Sequence, residues 1–225
     1  MDTSSTLPIT GLLLAAGQGS RMGQPKAIVE IEGRTLTEIA VETLLAGGCR
    51  DVLVVLGADA QRVRTRLEIS QAAWTQRVVT AECPNWSNGI SASLRTGLAS
   101  LAARGKTCPA ATLVHLVDLP DIGAHVVGRV LDQGRRKAGL PLVLARAAYA
   151  GVAGHPALIG QAHWQGVMDS ARGDRGAGSF LRRHDAALVE CGDLAAGRDL
   201  DTPAELQAYR EERGRPRADG DKRSP

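Results

Sequence analysis

One stretch near the start of the chain, residues 12–26, carries the residue types best suited to chemistry. Its glycines and cations are Gly17, Gly19, Gly23, Arg21 and Lys26. Glycine lets backbone N–H groups come close to a ligand and turn towards an anion. Cationic side chains then neutralise the charge that the amides leave. The combination follows an apolar run and predicts a polyphosphate-binding loop at the end of a buried strand.

Two common phosphate-binding motifs do not fit this loop. A Walker A motif closes with Gly-Lys-Ser or Gly-Lys-Thr, which this stretch lacks. The dinucleotide fingerprint has glycines in the order G-x-G-x-x-G and an acidic residue after the second strand. Here the glycines have the order G-x-G-x-x-x-G, and no acidic residue ends the second strand at the required distance. The remaining pattern is Leu-Ala-Ala-Gly-x-Gly-x-Arg-Met-Gly-x-Pro-Lys.

Two aspartates further along the chain are candidate magnesium ligands. Asp118 directly follows an apolar run, and carboxylate oxygen is the ligand that Mg²⁺ prefers. Asp118 could instead cap the next helix, although Asp121 is better placed for that. Asp201 lies in an Asp-Leu-Asp-Thr-Pro segment, which would also begin a helix well with Thr202 as its cap. Asp199 in the same segment is an alternative ligand.

Alternating apolar patterns predict the elements that position these residues. Short apolar runs bounded by turn residues predict strands at 9–16, 27–31, 51–56, 77–80, 111–117, 141–145, 151–159 and 187–191. Apolar residues at helical spacing predict helices at 35–46, 60–67, 90–101, 122–137, 161–168, 179–184 and 203–213. This alternation predicts an α/β fold, a Rossmann-like three-layer sandwich with a mostly parallel central sheet. Ligands bind at the carboxyl ends of such strands, so Asp118 and the glycine loop can share one site.

Length and composition bound the class of protein. The 225 residues fit one domain at 9–213, a flexible N-terminus at 1–8 and a disordered tail at 214–225. Aromatic residues make up 3% of the chain and the net charge is +3, so no nucleic-acid partner is expected. No run approaches the roughly 20 apolar residues of a membrane helix, and no signal peptide is recognised. No membrane partner is expected either.

The cysteines and large core residues are expected to be structural. The cysteines are Cys49, Cys83, Cys108 and Cys191. They lie far apart without a C-x-x-C pair, so neither zinc nor a disulfide framework is indicated, and reduced thiols in the cytoplasm are expected. His115, Trp74 and Trp164 are expected to be packing residues, with the imidazole of His115 satisfied by hydrogen bonds.

The glycine loop resembles the signature of nucleotidyltransferases that couple an NTP to a phosphorylated acceptor, the MobA-like NTP transferase family. Within it, the chain is most similar to the molybdenum-cofactor branch, molybdopterin cytidylyltransferase and its guanylyltransferase relative. The pair Ala15-Ala16 favours the cytidylyl branch, because the guanylyl relative tends to have Leu-Ala-Gly-Gly. The resemblance covers residues 9–208. It implies the nucleotide-diphospho-sugar transferase type of fold, with a single nucleotidyltransferase domain and magnesium as cofactor.

The resemblance also implies catalytic, nucleotide-binding and metal-binding residues. Residues 17–23 and Arg21 would hold the triphosphate, and Lys26 would stabilise charge at the α-phosphate, so Lys26, Arg21 and Asp118 are the catalytic candidates. The implied nucleotide-binding set is Leu14, Ala15, Ala16, Gly17, Gly19, Ser20, Arg21, Lys26, Asn88, Gly89, Ser91 and Ser93. Asn88 could equally cap a helix whose free N–H groups face an anion or base edge. The implied metal ligands are Asp118 and Asp201.

Two later segments resemble the acceptor-binding elements of the cytidylyltransferase branch, Gly-His-Pro and Gly-Asp-x-Gly-Ala. The implied acceptor-binding residues are Gly154, His155, Pro156, Gly173, Asp174, Gly176 and Ala177. A lone histidine such as His155 can equally be structural. The branch often has an arginine directly after the second element, where this chain has Gly178. A cationic contact with the acceptor is therefore expected to be missing there.

The predicted reaction is magnesium-dependent nucleotidyl transfer with release of pyrophosphate. The acceptor phosphate is largely dianionic at neutral pH and needs no strong base, so catalysis reduces to alignment and charge neutralisation. The resemblance implies that the NTP would be CTP and that the acceptor would be molybdopterin. It also implies that a molybdoenzyme or chaperone would be a transient partner. One alternative is a guanylyltransferase that acts on molybdopterin or another small phosphate. An alternative of another class is a nucleotide-binding regulator without turnover.

Overall fold

A seven-stranded sheet lies between two layers of helices in the computed structural model, which describes residues 9–70, 74, 76–136 and 139–214. The strands are β1 (Ile9–Ala15), β2 (Glu30–Ile31), β3 (Arg34–Thr35), β4 (Asp51–Leu56), β5 (Val78–Glu82), β6 (Ala111–Leu116), β7 (Leu144–Tyr149), β8 (Val152–Gly160) and β9 (Ala187–Glu190). The α-helices are α1 (Leu36–Ala46), α2 (Ala60–Ser70), α3 (Ile90–Ala102), α4 (Ala124–Arg136), α5 (Trp164–Ser170), α6 (Gly178–Arg183) and α7 (Pro203–Gly214).

The central sheet has the strand order β5-β4-β1-β6-β8-β7-β9. All of its neighbouring pairs are parallel except the two that contain β8, which runs antiparallel to β6 and β7. The short connection between β7 and β8 explains the exception, because parallel neighbours need a long crossover. Ala150 and Gly151 form that connection with φ of 50° and 78°, as a tight hairpin turn requires. The predicted mostly parallel sandwich is confirmed.

The side chains of β1 alternate between two cores, one on each face of the sheet. Leu12 and Leu14 pack with residues of α3, α5 and α6. Leu13 and Ala15 pack on the opposite face with residues of α1, α2, α4 and α7. A strand with both faces covered reads as a continuous apolar run rather than an alternating one, which explains the sequence of β1.

The predicted elements are present, and the differences lie at their ends. The segment 27–31 was expected to be strand-like, but a 3₁₀ turn at Lys26–Ile28 precedes β2. The strand expected at 141–145 is a 3₁₀ turn at Leu140–Leu142 followed by β7, because Pro141 occupies the first turn of that short helix. The predicted N-terminus at 1–8 lies outside the described residues, as does the predicted tail at 214–225 except for Gly214, which is the last residue of α7.

Several expectations about composition can be compared with the structure. None of the four cysteines, all of which lie among the described residues, forms a disulfide bond. Trp74 and Trp164 are buried in the two cores, so their predicted packing role is confirmed. No helix in the described part of the chain combines the length and apolar character needed to cross a bilayer.

His115 lies in the middle of β6 and is 1% exposed. The prediction of a core histidine is confirmed, but the expectation of a satisfied imidazole is wrong. Its Nδ1 has no hydrogen-bond partner among the described residues. Burial, helped by the neighbouring charge of His155, lowers the pKa of His115 to about 3. The folded protein therefore keeps this side chain neutral.

This histidine is expected to lower the free energy of unfolding as the pH falls from about 6.5 towards 4. Unfolded His115 regains its usual pKa of 6.5 and binds a proton that the folded state excludes. Its stabilising effect is thus full above pH 6.5 and is lost below, by up to about 1.4 kcal/mol per pH unit. Urea unfolding of His115→Leu across this range should show a shallower slope. His155, which also has a lowered pKa of about 4, is expected to contribute to the pH dependence of unfolding that remains in this variant. A pH dependence equal to that of wild type would contradict the prediction.

Candidate active site

A cleft of about 620 Å³ opens at the carboxyl ends of β1 and β6. The predicted site residues that line it are Leu14, Ala16, Gly17, Gly19, Ser20, Arg21, Lys26, Gly89, Ser93, Asp118, Asp174 and Asp201. The lining residues outside the predicted set are Gln18, Trp86, Ser87, Ile90, Leu116, Val117 and Asp199. Most of them are adjacent in sequence to a predicted residue, so they could have been predicted from their position next to the motifs.

Parallel pairing of β1 with β6 brings the glycine loop beside Asp118. The carbonyl oxygen of Leu14, near the end of β1, accepts a hydrogen bond from Val117 N–H at 3.3 Å. The next residue, Asp118, therefore follows β6 at the same level at which the loop follows β1. On the other side of the loop, the Ala16 carbonyl accepts a hydrogen bond from Ala58 N–H at 3.0 Å.

At Gly19 both the backbone conformation and the available space of the glycine loop require glycine. Gly19 has φ of 64°, and a Cβ there would overlap the carbonyl oxygen of Gln24. The carbonyl of Gly19 also accepts the N–H of Met22 at 2.9 Å, which closes the turn. Gly17 differs, because a Cβ at that residue would meet no atom within 4 Å. Gly19 shapes the loop, whereas Gly17 leaves open space beside it.

Lys26 joins the two aspartates at the centre of the cleft. Its Nζ donates to Asp118 Oδ2 at 2.7 Å and to Asp201 Oδ1. Arg21 Nη1 lies 2.8 Å from the other oxygen of Asp201. The Lys26 side chain is only 15% exposed, so this ion pair is poorly screened by water. We call Lys26, Asp118 and Asp201 the charge cluster.

The contacts within the charge cluster shift the pKa values of Lys26 and Asp201. Burial disfavours the ammonium of Lys26, but the charges and hydrogen bonds of Asp118 and Asp201 outweigh it and raise the pKa of Lys26. The hydrogen bond from Lys26, opposed by burial and helped by the charges of Lys26 and Arg21, lowers the pKa of Asp201. Both groups are therefore charged at neutral pH, so Lys26 can neutralise a phosphate and Asp201 can bind a cation.

A backbone hydrogen bond places Asp201 beside Asp118. Leu200 N–H donates to the carbonyl oxygen of Asp118 at 2.8 Å, and the Leu200 side chain is buried. Thr202 and Glu205 form a capping box at the start of α7, so the predicted helix start with Thr202 as its cap is confirmed. Asp199 lines the cleft, but Asp201 is the residue that contacts Lys26.

Asp118 has a free oxygen that suits a cation. Its Oδ1 is buried and has no hydrogen-bond partner among the described residues, although Oδ2 is bound by Lys26. The alternative helix-cap assignment for Asp121 is wrong, because its carboxylate accepts the N–H groups of Ala196 and Arg198. In the described ranges, no group of three or more His, Cys, Asp or Glu residues could cage a metal. The donor set fits Mg²⁺, which is held by one or two carboxylates together with water and substrate phosphates.

The start of α3 differs from the sequence prediction. Asn88 does not cap this helix: it ends a 3₁₀ turn at Trp86–Asn88, and Gly89 with φ of 89° is the N-cap without a side-chain hydrogen bond. The N–H of Ser91 donates to the Gly173 carbonyl at 2.9 Å and so is not free for an anion. The segment is instead fastened to the Gly173 loop. Ser91 and Ser93 are both buried, and of these two only Ser93 lines the cleft.

The remaining predicted residues lie outside the cleft lining. They are Ala15, Asn88, Ser91, Gly154, His155, Pro156, Gly173, Gly176 and Ala177. Ala15 faces the core on the opposite side of the sheet. His155 Nδ1 lies 3.5 Å from the carbonyl oxygen of Val114, and burial together with the charge of Arg146 lowers its pKa to about 4. A neutral His155 is thus held beside β6, behind the cleft wall.

A family model described as the MobA-like NTP transferase domain matches residues 11–188. The chain belongs to the MobA-like NTP transferase family. The relative nicotine blue oxidoreductase of Paenarthrobacter nicotinovorans is 36% identical over 208 residues, which cover 88% of this chain and 94% of that protein. 2-C-methyl-D-erythritol 4-phosphate cytidylyltransferase of Nocardia farcinica is 31% identical over 144 residues, 62% of this chain and 58% of the relative.

A solved structure agrees with the fold of this MobA-like chain. Rv0371c of Mycobacterium tuberculosis has a TM-score of 0.72 and 22% sequence identity over 91% of this chain and 98% of that chain. At this identity the likeness concerns the fold alone. The predicted membership of the MobA-like family is confirmed, and with its cytidylyltransferase relatives it supports an activity of the nucleotidyltransferase type on a nucleotide substrate.

Gly19→Ala is expected to destabilise the ligand-free protein by about 1–3 kcal/mol, because the positive φ and the Gln24 carbonyl both oppose a side chain. The matched variant is Gly17→Ala, which is expected to change the free energy of unfolding by less than about 0.5 kcal/mol. Urea unfolding of both variants measures the difference. Equal stability of the two would show that Gly19 does not shape the loop.

Proposed function

We propose that this protein transfers a nucleoside monophosphate from CTP to a phosphorylated acceptor of the molybdopterin type and releases pyrophosphate. The observation that carries the proposal is the charge cluster, which faces the glycine loop across one cleft. The loop offers backbone N–H groups, and the cluster offers a cation and two carboxylates in the same cleft. Nucleotidyl transfer needs this combination of a phosphate cradle and a neutralising centre.

The chemistry needs alignment more than acid–base catalysis. An oxygen of the acceptor phosphate forms a bond to the α-phosphorus while the bond to the β-phosphate oxygen breaks, and pyrophosphate carries away the electron pair. Lys26 would stabilise the charge that develops on the α-phosphate, and Arg21 would hold the β- and γ-phosphates as they leave. The raised pKa of Lys26 keeps its ammonium charged throughout, so no proton transfer from this residue is required.

Asp118 and Asp201 would hold Mg²⁺, with Asp118 Oδ1 as the first ligand because it has no other partner among the described residues. The bound ion supplies neutralisation of the triphosphate and favours departure of pyrophosphate. Lys26 already occupies the space between the two carboxylates. It would therefore move towards the nucleotide phosphates when the carboxylates bind metal.

CTP is proposed on the Ala15-Ala16 pair and on the cytidylyltransferase relative, which matches at 31% identity. Molybdopterin is proposed on the resemblance of the segments 154–156 and 173–177 to the molybdenum-cofactor branch. The product would then pass to a molybdoenzyme or its chaperone in the cytoplasm. The alternative within this class is GTP with molybdopterin or another small phosphate.

A second candidate function is reduction of a heteroaromatic substrate, because a relative of nearly full coverage is named nicotine blue oxidoreductase. In that case the glycine loop would hold the phosphates of a nicotinamide nucleotide. This carrier would give a hydride to the substrate and a proton would come from water. Hydride transfer makes no use of two carboxylates around a lysine, so the charge cluster favours nucleotidyl transfer.

One panel separates these candidates. The protein with Mg²⁺ is incubated with each of four NTPs and molybdopterin, and pyrophosphate release is measured. Parallel samples contain NADH or NADPH with nicotine blue, and loss of nicotinamide absorbance is measured. Pyrophosphate release with CTP supports the proposal, a preference for GTP overturns the base assignment, and hydride transfer without pyrophosphate release establishes the second candidate. Nucleotide binding without either turnover indicates a regulator.

Lys26→Met and Asp118→Asn are expected to separate the two roles of the charge cluster. Both should reduce kcat by about 100-fold or more, because charge stabilisation at the α-phosphate is lost. Mn²⁺ binding to the nucleotide-free protein should weaken about tenfold or more in Asp118→Asn. In Lys26→Met it should strengthen severalfold, because the ammonium no longer competes for the carboxylates. Calorimetry and electron paramagnetic resonance measure this binding.

The matched control is Lys106→Met, which removes an exposed lysine from the 3₁₀ turn at Gly105–Thr107. It should leave both turnover and Mn²⁺ binding unchanged. Wild-type turnover in Asp118→Asn would contradict the metal assignment. Weaker Mn²⁺ binding in Lys26→Met would show that the lysine does not compete with the metal.

A further inference from the structure

A cation in the middle of β7 has no role in the reaction described so far. Arg146 lies on the face of the sheet that packs against α3, α5 and α6, since Leu144 two residues earlier packs there and Ala145 faces the other core. Its Nε and Nη2 both donate to the carbonyl oxygen of Gly154, at 3.0 and 2.9 Å. The side chain is partly buried.

The positive charge of Arg146 is not balanced within the described part of the chain. No salt bridge joins it to a carboxylate there, and its acceptor is a neutral carbonyl. The charged group that acts on it is a second cation, Arg182 of α6; burial first, and then this charge, lower the pKa of Arg146. A partly buried cation without a counter-ion is unfavourable, so an incoming anion would stabilise this arrangement.

The space in front of the guanidinium is open. A Cβ on Gly178, the first residue of α6, would lie 3.9 Å from Arg146 Nη1 and would meet no other atom within 4 Å. From the absence of a side chain at Gly178, the sequence predicted that no cation would contact the acceptor here. The guanidinium of Arg146 in β7 nevertheless lies beside this residue. Nη1 donates no hydrogen bond to any described residue and can donate to a ligand.

This space lies towards the same edge of the sheet as the cleft. β8 runs antiparallel to β6, with Ala157 opposite Val114. Gly154, which binds Arg146 and precedes Ala157 by three residues, therefore lies towards the carboxyl end of β6, where Leu116 and Val117 line the cleft. Arg146 is not a member of the charge cluster, so an anion can bind at Arg146 while Lys26 is engaged with nucleotide phosphates.

We propose that Arg146 binds a phosphate group of the acceptor in the open space beside Gly178. A guanidinium presents parallel N–H donors that match two oxygens of a phosphate. Nη1 is available, and Nη2 can turn to the ligand while Nε keeps the Gly154 carbonyl. The proposal rests on the proposed function, since it takes the anion to be part of the acceptor.

The test measures binding rather than turnover. The protein is saturated with Mg²⁺ and the non-transferable analogue α,β-methylene-CTP, and phenyl phosphate or phenol is titrated and followed by calorimetry. Wild type should bind phenyl phosphate but not phenol. Arg146→Gln should bind phenyl phosphate about tenfold more weakly or worse, a loss of about 1.4 kcal/mol, with unchanged affinity for the analogue. Arg146→Lys should retain part of the binding.

Gly178→Asp tests the site without removal of Arg146. The new carboxylate would pair with the guanidinium and abolish phenyl phosphate binding, whereas Gly178→Ser is the uncharged control and should bind like wild type. Arg183→Gln removes an exposed arginine of the same helix and controls for general charge. Thermal unfolding checks that each variant is folded, and Gly178→Asp decides if Arg146→Gln does not fold.

The outcomes distinguish this proposal from the proposed function. Undiminished phenyl phosphate binding in Arg146→Gln or Gly178→Asp, equal binding of phenol, or no binding to wild type would overturn the site at Arg146. If the CTP analogue does not bind but phenyl phosphate binding still depends on Arg146, the anion site stands and the nucleotidyl-transfer function fails. The reverse result removes the anion site and leaves nucleotidyl transfer intact.

Discussion

The ion pair between one ammonium and two carboxylates is the interaction on which this site depends. Asp118 and Asp201 would repel each other at this separation, and a carboxylate without a counter-charge in a partly buried site takes up a proton or moves into water. Lys26 prevents both, because its ammonium touches the two carboxylates together. The same arrangement creates a competition, since a divalent cation would need the oxygens that Lys26 holds. The cluster therefore couples the position of the lysine to the state of the carboxylates.

The backbone, not the side chains, brings the members of this cluster together. β1 and β6 are parallel neighbours, so the residues that follow them meet at one edge of the sheet. Asp201 comes from a distant part of the chain, yet the hydrogen bond from Leu200 N–H to the Asp118 carbonyl fixes it there. The three segments that carry the cluster are far apart in the chain, and their relative positions depend on main-chain hydrogen bonds. Such bonds can form with many different side chains. Only the charged side chains must be conserved in type for the cluster to form.

What the sequence could predict was local. Short sequence patterns identify the glycine loop, Asp118 and the alternating strands and helices. Because ligands bind at the carboxyl edge of such a sheet, these features could be assigned to one site. The role of Asn88 could not be predicted, because the Ser91–Gly173 bond that fastens the start of α3 joins residues far apart in the chain. No sequence pattern within β7 identifies Arg146 as a candidate binding residue. Its hydrogen-bond partner, the Gly154 carbonyl, lies beside it because the turn at Ala150 and Gly151 reverses the chain and sets β8 beside β7.

Under the proposed function, the cleft would divide into a half that binds the phosphates of the nucleotide and a half that binds the acceptor. The first half would consist of the main-chain groups of the loop together with the charge cluster. These groups recognise the charge of a phosphate rather than the identity of a base. Different chemistries can therefore share it, which fits a family with both cytidylyltransferase and oxidoreductase names among the relatives of this chain. The choice between them must lie where side chains differ in charge and shape. In this chain the open space beside Gly178 lies next to the unbalanced charge of Arg146, and under the proposal above this arrangement would favour an anionic acceptor.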